Sequence, residues 1–253
     1  MDRLIDKAAE DIAAARSVTA LTGAGVSIES GIPPFRGKGG LWEKIDPMEY
    51  AHIDAFRRDP EKVWQVLIKS MADVLGSARP NDAHFGLVRL EKMGKLKTVI
   101  TQNVDGLHQA AGNTDVIEFH GSFARQCCTD CGKQCQSSEV NMDAIPPRCQ
   151  CGGIYRPDCV FFGEMIPPDA LLRSRAAAVS CDVMLVMGTS AMVQPAAHMP
   201  VLARENGARI IEINPESTPL TGSVSDCFIP GSGGRIMNAI LARLERLCGP
   251  AHE

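Results

Sequence analysis

The sequence predicts an α/β fold, in which a Rossmann-like parallel sheet is covered by helices and carries a smaller inserted domain. Short apolar runs alternate with helical stretches along the chain, and this alternation is typical of a parallel sheet with helices on both faces. The runs end before Gly23, Gln102, His120, Gly188 and Asn214, and the helical stretches are 4–15, 168–179 and 196–206. Two segments, one helical and one rich in cysteine, interrupt this alternation and predict the inserted domain.

The expected large domain is discontinuous and consists of residues 1–37, 79–122 and 159–253. The inserted domain combines a helical module, residues 38–78, with a cysteine-rich module, residues 123–158. At 253 residues the chain suits one large domain with a smaller one inserted. Ligands of such folds bind in clefts at the carboxyl ends of strands, so we expect the functional site between the two domains.

The first predicted strand, 18–21, runs directly into the glycine pair of Gly23-Ala24-Gly25. Glycines after a strand allow a tight turn and let bare N–H groups approach a phosphate. A stiff proline-containing loop follows and ends in Phe35 and Arg36, whose guanidinium suits a diphosphate. Taken alone, the aromatic ring is more often a core residue and the arginine a surface charge. In combination with the turn, they predict a diphosphate site.

This motif differs from the dinucleotide signature of dehydrogenases that transfer hydride. That signature requires a third glycine, where this chain has Ile28, and an acidic residue at the end of the second strand. The segment around Asp46 is a loop or a helix start instead. We therefore expect a nucleotide site without the usual dehydrogenase contacts.

A second polar cluster follows the predicted strand 97–100 and contains Gln102, Asn103 and Asp105. Side chains at the carboxyl end of a parallel strand point into the ligand crevice. The amide and carboxylate suit a nicotinamide carboxamide or a ribose. The alternative is that Asn103 or Asp105 caps a short helix through residues 107–110.

The third cluster is a predicted strand that ends in His120, next to Gly121. Histidine exchanges protons near neutral pH, so His120 is the candidate general base. A histidine at a strand end is more often a structural residue that is held by hydrogen bonds. His108 is the competing candidate because it follows the Asn103–Asp105 cluster.

Six of the ten cysteines fall between Cys127 and Cys151. Two close pairs, with glycine after each, predict a zinc ribbon at 123–158 that is closed by four sulfurs and has a structural role. The expected ligands are Cys128, Cys131, Cys149 and Cys151. The second pair has an unusually short spacing, so Cys127 or Cys135 could replace a ligand. Disulfides are disfavoured because the chain opens into an amphipathic helix without a signal peptide.

Composition excludes some classes of function. A net charge of −4 gives no basic footprint for nucleic acid, so we expect no direct nucleic-acid binding. No apolar run reaches the roughly 18 residues of a membrane span, and 183–187 is a buried strand instead. Free cysteines without a secretory signal predict a cytoplasmic protein.

Together these motifs resemble the sirtuins, a family of NAD-dependent protein lysine deacylases. The resemblance extends from about residue 18 to about residue 234, and the motifs stand in the family's order. They are GAGVSIESGIPPFRG, TQNVDGLH, FHGS, the four zinc cysteines, RPDCVFFGE, GTS and the asparagine of IEINP.

The resemblance implies NAD as co-substrate and one structural zinc ion. The residues that it assigns to the NAD site are Gly23, Ala24, Gly25, Ser27, Ile28, Phe35, Arg36, Gln102, Asn103, Val104, Asp105, Gly188, Thr189, Ser190, Asn214 and Gly233. It assigns catalysis to His120 as general base, together with Asn103 and Asp105. It also implies that an acyl-lysine peptide binds as an added strand to Val160, Phe161, Phe162, Gly163 and Glu164.

The implied reaction begins when the acyl-lysine carbonyl oxygen attacks the nicotinamide-ribose carbon and nicotinamide leaves. His120 then takes a proton from a ribose hydroxyl, and water completes the release of lysine and O-acetyl-ADP-ribose. The alternative function is an NAD-consuming mono-ADP-ribosyltransferase on the same scaffold.

The chain departs from the family pattern at Pro34, where aspartate is usual, and at Cys159, where valine is usual. Family members that remove malonyl and succinyl groups carry a Tyr-x-x-Arg pair, and this chain has Leu67 and Ser70 at those positions. Without the guanidinium an acidic acyl group would be buried unpaired. We therefore expect neutral acyl groups.

Overall fold

The computed structural model describes residues 1–35, 37 and 39–248. Within these residues the strands are β1 (Val18–Thr22), β2 (Leu96–Thr101), β3 (Val116–Glu118), β4 (Gly121–Cys128), β5 (Gln134–Gln136), β6 (Tyr155–Cys159), β7 (Val183–Met187), β8 (Arg209–Asn214) and β9 (Cys227–Pro230). The α-helices are α1 (Asp2–Ala14), α2 (Pro47–Tyr50), α3 (Ile53–Arg58), α4 (Pro60–Val63), α5 (Lys69–Ser77), α6 (Asp82–Lys92), α7 (Leu107–Ala111), α8 (Pro168–Ser180), α9 (Met199–Glu205) and α10 (Gly233–Cys248).

The large sheet has six parallel strands in the order β3-β2-β1-β7-β8-β9. The chain winds outward from β1 through β2 to β3 and then returns to the other side of β1 at β7. This reversal makes β1 and β7 the switch point of the sheet, and ligands of doubly wound folds bind at the carboxyl ends of the strands there.

Helices cover both faces of this sheet, as the sequence predicts. Successive strand side chains point to opposite faces, so Leu185 packs with α1, α6 and α10 whereas Met184 packs with α8 and α9. All five residues of β1 and of β7 are buried. A strand that is buried on both faces explains why the apolar runs are continuous and not alternating.

The inserted segments form a three-stranded antiparallel sheet, β5-β4-β6, and a set of short helices. The indole Nε1 of Trp64 donates to the carbonyl oxygen of Tyr155 in β6 at 2.9 Å, so the helical segment is fastened to the cysteine-rich segment. Trp64 is buried in an apolar cluster with Phe56 and Phe161. The residue boundaries of the two domains stay a prediction.

Between α4 and α5 the helix widens into a π-helical turn, Trp64–Ile68. Such turns insert one extra residue, and they are frequent at functional sites. Leu67 lies in this turn and Met71 four positions later in α5, and both line the same cleft, as residues i and i+4 of a helix can.

The strand that the sequence predicts to end in His120 is shorter in the structure. β3 ends at Glu118, and Phe119 and His120 form the turn that leads into β4. Gly121 has φ +74°, and a Cβ atom there would lie 2.1 Å from the carbonyl oxygen of Asp158. Only glycine fits this turn, which carries the chain from the large sheet to the small one.

Within the described part of the chain, no helix is long and apolar enough to cross a membrane.

Candidate functional site

A cleft of about 620 Å³ lies at the carboxyl ends of β1, β2, β7 and β8, with the small domain on its other side. Most of the residues that the sequence predicts for the NAD and peptide sites line it. They are Gly23, Ala24, Gly25, Ile28, Phe35, Gln102, Asn103, Val104, His120, Val160, Phe161, Phe162, Gly163, Glu164, Gly188, Thr189, Ser190 and Asn214.

Three of the predicted residues do not line the cleft. Ser27 and Asp105 lie behind the cleft wall, where they are bonded to each other. Gly233 begins α10 and packs against Ala83, so it is not part of the lining. Arg36 lies outside the described residues.

The glycine turn after β1 is interlocked with the turn after β7. The N–H groups of Gly23 and Gly25 donate to the carbonyl oxygens of Met187 (3.0 Å) and Gly188 (2.7 Å). A Cβ atom on Gly25 would lie 2.6 Å from the Cα of Gly188. The glycines are therefore needed for this packing between two loops, a requirement that the sequence alone does not reveal.

The side-chain amide of Asn103 is held by residues that follow the adjacent strand, β1. Its Nδ2 donates to the carbonyl oxygen of Gly23 and to Ser27 Oγ, both at 3.1 Å. Ser27 Oγ in turn donates to Asp105 Oδ2 at 2.7 Å. Since Asn103 is 5% exposed, the amide has one fixed orientation.

Asp105 also fulfils the alternative role of a helix cap. Its Oδ1 accepts the N–H of Leu107 at 2.9 Å, at the start of α7. The cap and the contact with Ser27 use different carboxylate oxygens. Asp105 therefore supports the start of α7 from the position before its N-cap, Gly106, whereas a direct contact of Asp105 with a ligand stays a prediction, since Asp105 does not line the cleft.

Gln102 and Asn214 reach toward the β7 and β8 ends of the cleft. Gln102 Nε2 donates to Thr189 Oγ1 at 2.9 Å, which joins the loops after β2 and β7. Asn214 Nδ2 donates to the carbonyl oxygen of Glu216 at 2.9 Å, and both residues line the cleft. Fixed amides of this kind suit a ribose or a base, which present hydroxyl and ring-nitrogen groups.

His120 forms hydrogen bonds on both sides of the cleft, with the predicted NAD residue Gln102 and with the predicted peptide residue Val160. Its Nδ1 lies 3.0 Å from the carbonyl oxygen of Gln102, and its own carbonyl oxygen accepts the N–H of Val160 at 2.9 Å. A carbonyl can only accept, so Nδ1 carries the proton and the Nε2 lone pair is available. Burial lowers the pKa of His120, and the bond to Gln102 opposes this effect. The imidazole is therefore neutral near pH 7.

The predicted peptide-binding segment, residues 160–164, is fixed by neighbouring groups. The N–H of Phe162 donates to the carbonyl oxygen of Ala51 at 2.9 Å. Glu164 accepts the N–H of Phe161 at 2.9 Å and forms a two-pronged pair with Arg156 at 2.8 and 2.6 Å. The guanidinium also lies 4.6 Å from the centre of the Phe161 ring.

The small-domain side of the cleft is apolar, as expected, although one predicted residue is wrong. Leu67 lines the cleft, but Ser70 is exposed and its hydroxyl donates to the carbonyl oxygen of Val66 at 2.6 Å. Met71, four positions after Leu67, lines the cleft in the place expected for Ser70. Phe162 and Ile166 complete this apolar lobe.

Several lining residues were not predicted, among them Met71, Phe123, Ile166, Val193 and Gln194. Ile166 and Val193 follow the motifs RPDCVFFGE and GTS within a few positions, so proximity to a motif was an available signal. Phe123 directly follows the motif FHGS and had the same signal, whereas Met71 carries none, because only the packing of the small domain brings it to the cleft.

The four predicted zinc ligands lie together. Their sulfur atoms are all within 4.8 Å of one another, with Cys128 and Cys151 at 3.5 Å and Cys131 and Cys149 at 3.8 Å. A tetrahedral site with Zn–S bonds of about 2.3 Å separates the sulfurs by about 3.8 Å, so the cluster fits zinc. Cys127 Sγ points to the carbonyl oxygens of Cys128 and Gly132 and is not part of the cluster.

The fold and the cleft define a nucleotide-binding protein of the Rossmann class with an added tetracysteine zinc ribbon. A model of the Sir2 family matches residues 23–195. The chain therefore belongs to the Sir2 family, as the sirtuin motifs indicate.

Three known proteins show how far this similarity extends. The chain is 45% identical to NAD-dependent protein deacylase 1 of Archaeoglobus fulgidus, over 95% of this chain and 98% of that protein. A mutant Sir2 homologue in complex with ADP-ribose has a TM-score of 0.92 and 43% identity, and the alignment covers 98% and 99% of the two chains. A Sir2 mutant with a deacetylated p53 peptide and 3′-O-acetyl-ADP-ribose has a TM-score of 0.87 and 31% identity, over 94% and 97%.

Proposed function

We propose that this chain is an NAD-dependent protein lysine deacetylase, which releases nicotinamide, deacylated lysine and O-acetyl-ADP-ribose. The observation that carries the proposal is the position of His120, hydrogen-bonded to Gln102 in the polar half of the cleft and to Val160 beside its apolar half. A base in this position can act on a nucleotide and on an acyl group that meet beside it.

The relatives support deacylation over ADP-ribosyl transfer. The Archaeoglobus fulgidus protein is named a deacylase, and the peptide complex contains both a deacetylated peptide and an acetylated ADP-ribose. Those two ligands are the products expected of acyl transfer from lysine to ADP-ribose.

NAD supplies an activated ribosyl carbon with nicotinamide as leaving group. In our proposal Ala24, Phe35 and Arg36 contact the diphosphate and the nicotinamide ribose. Gln102 and Asn103 hold the nicotinamide and its ribose, Asp105 supports Asn103 through Ser27, and the adenosine end contacts Gly188, Thr189, Ser190 and Asn214. The fixed amide of Asn103 can bind the carboxamide only in one orientation, which restrains the glycosidic bond to be broken.

His120 takes a proton from a ribose hydroxyl through Nε2, which prepares that oxygen to attack the acyl carbon. Its Nδ1–H stays bonded to Gln102 throughout, so the ring keeps its orientation while Nε2 changes protonation. The resulting imidazolium can return the proton to the departing lysine amine.

The acyl-lysine peptide binds along residues 160–164 as an added strand. Among the described residues, no partner occupies the N–H of Gly163 or the carbonyl oxygen of Val160. These main-chain groups can therefore pair with a peptide backbone, while the acyl chain enters the lobe lined by Leu67 and Met71.

Cys128, Cys131, Cys149 and Cys151 hold one zinc ion whose role is structural, since four sulfurs leave no open coordination site. We also propose a large domain of residues 1–37, 79–122 and 159–253 and a small domain of residues 38–78 and 123–158. A cytoplasmic location and the absence of direct nucleic-acid binding are further parts of this proposal.

Mass spectrometry of the products tests the proposed function. The purified chain is incubated with NAD and an acetyl-lysine peptide, and the same reaction is run without peptide. We expect nicotinamide, O-acetyl-ADP-ribose and the peptide lighter by one acetyl group, with nicotinamide release dependent on the peptide. Nicotinamide release that is independent of acyl peptide, or a peptide heavier by one ADP-ribose, would overturn the proposal.

A further inference from the structure

His108, the histidine that competed with His120 in the sequence, has a different environment from the general base. It is the second residue of α7, is 1% exposed and does not line the cleft. It cannot reach a ribose hydroxyl from there. Its imidazole still makes a defined contact toward the site, and the catalytic scheme does not account for it.

A series of hydrogen bonds leads from this imidazole to the backbone of Asn103. His108 Nε2 lies 2.9 Å from Thr22 Oγ1, and Thr22 Oγ1 lies 2.9 Å from Thr101 Oγ1. Thr101 Oγ1 then accepts the N–H of Asn103 at 3.1 Å. All four residues are buried, with 5% or less of their surface exposed.

The two threonines are the last residues of β1 and β2 and are register partners in the parallel sheet. Their hydroxyls thus face each other at the edge where the site loop begins. Thr22 Oγ1 donates its hydrogen to Thr101 Oγ1, so the contact with His108 Nε2 is made by an imidazole N–H that the Thr22 oxygen accepts. Water is excluded there, so no other donor would replace this N–H, and the imidazole fixes the direction of the Thr22 hydroxyl toward Thr101.

His108 is held from its other side by His84, the third residue of α6. The two rings pack with centroids 4.8 Å apart and planes at 57°. His84 Nδ1 accepts the N–H of Asn81 at 3.2 Å, which fixes the orientation of that ring. Burial lowers the pKa of His108 to about 3 and also lowers that of His84. Both rings are neutral at ordinary pH, so His108 contributes geometry and not proton transfer.

Asn103 is consequently fixed at both of its ends. Its backbone N–H is held through Thr101, Thr22 and His108, and its side chain is held by Gly23 and Ser27. An amide that is fixed at one end only could still rotate or slide with its loop. The two bonds of Nδ2 use both of its hydrogens, so fixing both ends prepares Oδ1 as a rigid acceptor before the ligand arrives.

We infer that His108 is a positioning residue for Asn103, acting through Thr22 and Thr101 to hold the loop that binds the nicotinamide half of NAD. The inference rests on the proposed function only because it assigns the nicotinamide to Asn103. Ligand binding tests it without requiring that the chain turn over a substrate.

The test compares the affinities for NAD and for ADP-ribose, which lacks nicotinamide, by calorimetry. His108→Leu removes the imidazole, and His108→Gln retains an amide nitrogen near the position of Nε2. Thr22→Val removes the hydroxyl while it keeps a β-branched side chain in the strand. His198→Gln, at an exposed histidine outside the cleft, is the matched control. Thermal unfolding of each variant is measured in parallel.

We expect His108→Leu and Thr22→Val to weaken NAD binding by about tenfold and ADP-ribose binding by less than about twofold. The double variant should lose no more than the stronger single variant, because both act through one series of bonds. His108→Gln should recover most of the affinity for NAD, and His198→Gln should match the wild type.

Equal losses for NAD and ADP-ribose, or additive losses in the double variant, would overturn the inference, because they indicate general damage to the fold. Unchanged NAD affinity in Thr22→Val would overturn it as well, even if His108→Leu did not fold. A wild-type chain that binds NAD but does not deacetylate the peptide contradicts the proposed function alone, and the ratio of the two affinities still decides the role of His108.

Discussion

His120 is a base whose free nitrogen is determined by one hydrogen bond. The carbonyl oxygen of Gln102 keeps the proton on Nδ1, and burial keeps the ring neutral. A buried histidine of this kind is ready to accept a proton without first losing one, which suits a general base near pH 7.

Removal of this base should strongly reduce the rate of deacetylation and leave the affinity for NAD nearly unchanged. We expect His120→Ala to reduce deacetylation by about 10²-fold or more. NAD affinity should change by less than about twofold, since the amides of Gln102 and Asn103 remain. Steady-state kinetics and calorimetry measure the two effects. Turnover close to that of the wild type in His120→Ala would show that another group takes the proton.

The pH dependence of the reaction should report the same residue. Burial depresses the pKa of His120, so the ring stays unprotonated to lower pH than a free imidazole does. We expect kcat/KM for NAD to be constant near neutrality and to fall only below about pH 6.5, as protonation removes the base. His120→Asn should lose this acidic limb. A limb that persists unchanged in His120→Asn belongs to a different group.

At the scale of elements, the zinc ribbon is a unit whose fold depends on its metal. Four sulfurs at tetrahedral separations hold two turns together, and β4 and β6 lead into them. Cys131→Ser should reduce both the zinc content and the Tm, because metal binding is coupled to folding. Cys135→Ser is the control, since Cys135 is in β5 and outside the cluster. Zinc loss in the control alone would show that the ligand set is wrong.

The conformation of the segment 160–164 depends on the ion pair between Arg156 and Glu164, which is partly buried. Arg156→Met should leave the Glu164 carboxylate unpaired, so that the N–H of Phe161 loses its fixed acceptor. We expect KM for the acyl peptide to rise about tenfold with little change in NAD affinity.

Arg173→Met is the matched control, because the Arg173–Asp115 pair is exposed and such pairs contribute about 0–1 kcal/mol. Arg156→Lys should recover only part of the loss, since an ammonium cannot form the two-pronged contact. Equal KM values in Arg156→Met and Arg173→Met would remove the Arg156–Glu164 pair from peptide binding.

Elements that are defined by local chemistry could be predicted from the sequence. Continuous apolar runs predict β1 and β7, and the four cysteines predict the ribbon. The π-helical turn at 64–68 could not be predicted, because packing and not residue type selects it. Ser70 was expected at the cleft from the spacing of the family's Tyr-x-x-Arg pair, whereas the helix presents Met71 there. Gly25 lines the cleft as expected, but its closest constraint is the backbone of Gly188, which is 163 positions away in the sequence and adjacent in space.

For the whole molecule, the two domains divide the work of recognition. The large domain supplies the side-chain amides of Gln102, Asn103 and Asn214 to the cleft, and the small domain supplies the apolar side chains of Leu67 and Met71. Arg57 and Lys69, two cations of the same helical segment, are exposed and do not line the cleft. The acyl end of the cleft is therefore suited to neutral groups.

This division predicts the choice of acyl group. A succinyl carboxylate in the lobe would lose water without gaining a cation, whereas acetyl gains only apolar contact. We expect kcat/KM for deacetylation to exceed that for desuccinylation by at least about 10²-fold on the same peptide. The double variant Leu67→Tyr with Met71→Arg should lower the ratio of deacetylation to desuccinylation, because it supplies the missing cation. Ser70→Arg should lower this ratio less, because Ser70 does not line the cleft. Equal rates in the wild type would refute the apolar lobe as the selective feature.

The turn at His120 and Gly121 has a mechanical consequence. It is one covalent connection between the large sheet and the small one, and the chain returns through the segment between β6 and β7, so the general base lies at a junction of the two sheets. A rotation of one sheet against the other about this turn would alter the orientation of the imidazole. A compound that binds between the two sheets, away from the ribose, would then inhibit the reaction by changing the orientation of the general base. Such an inhibitor would compete with neither substrate, and a screen based on displacement of NAD would overlook it.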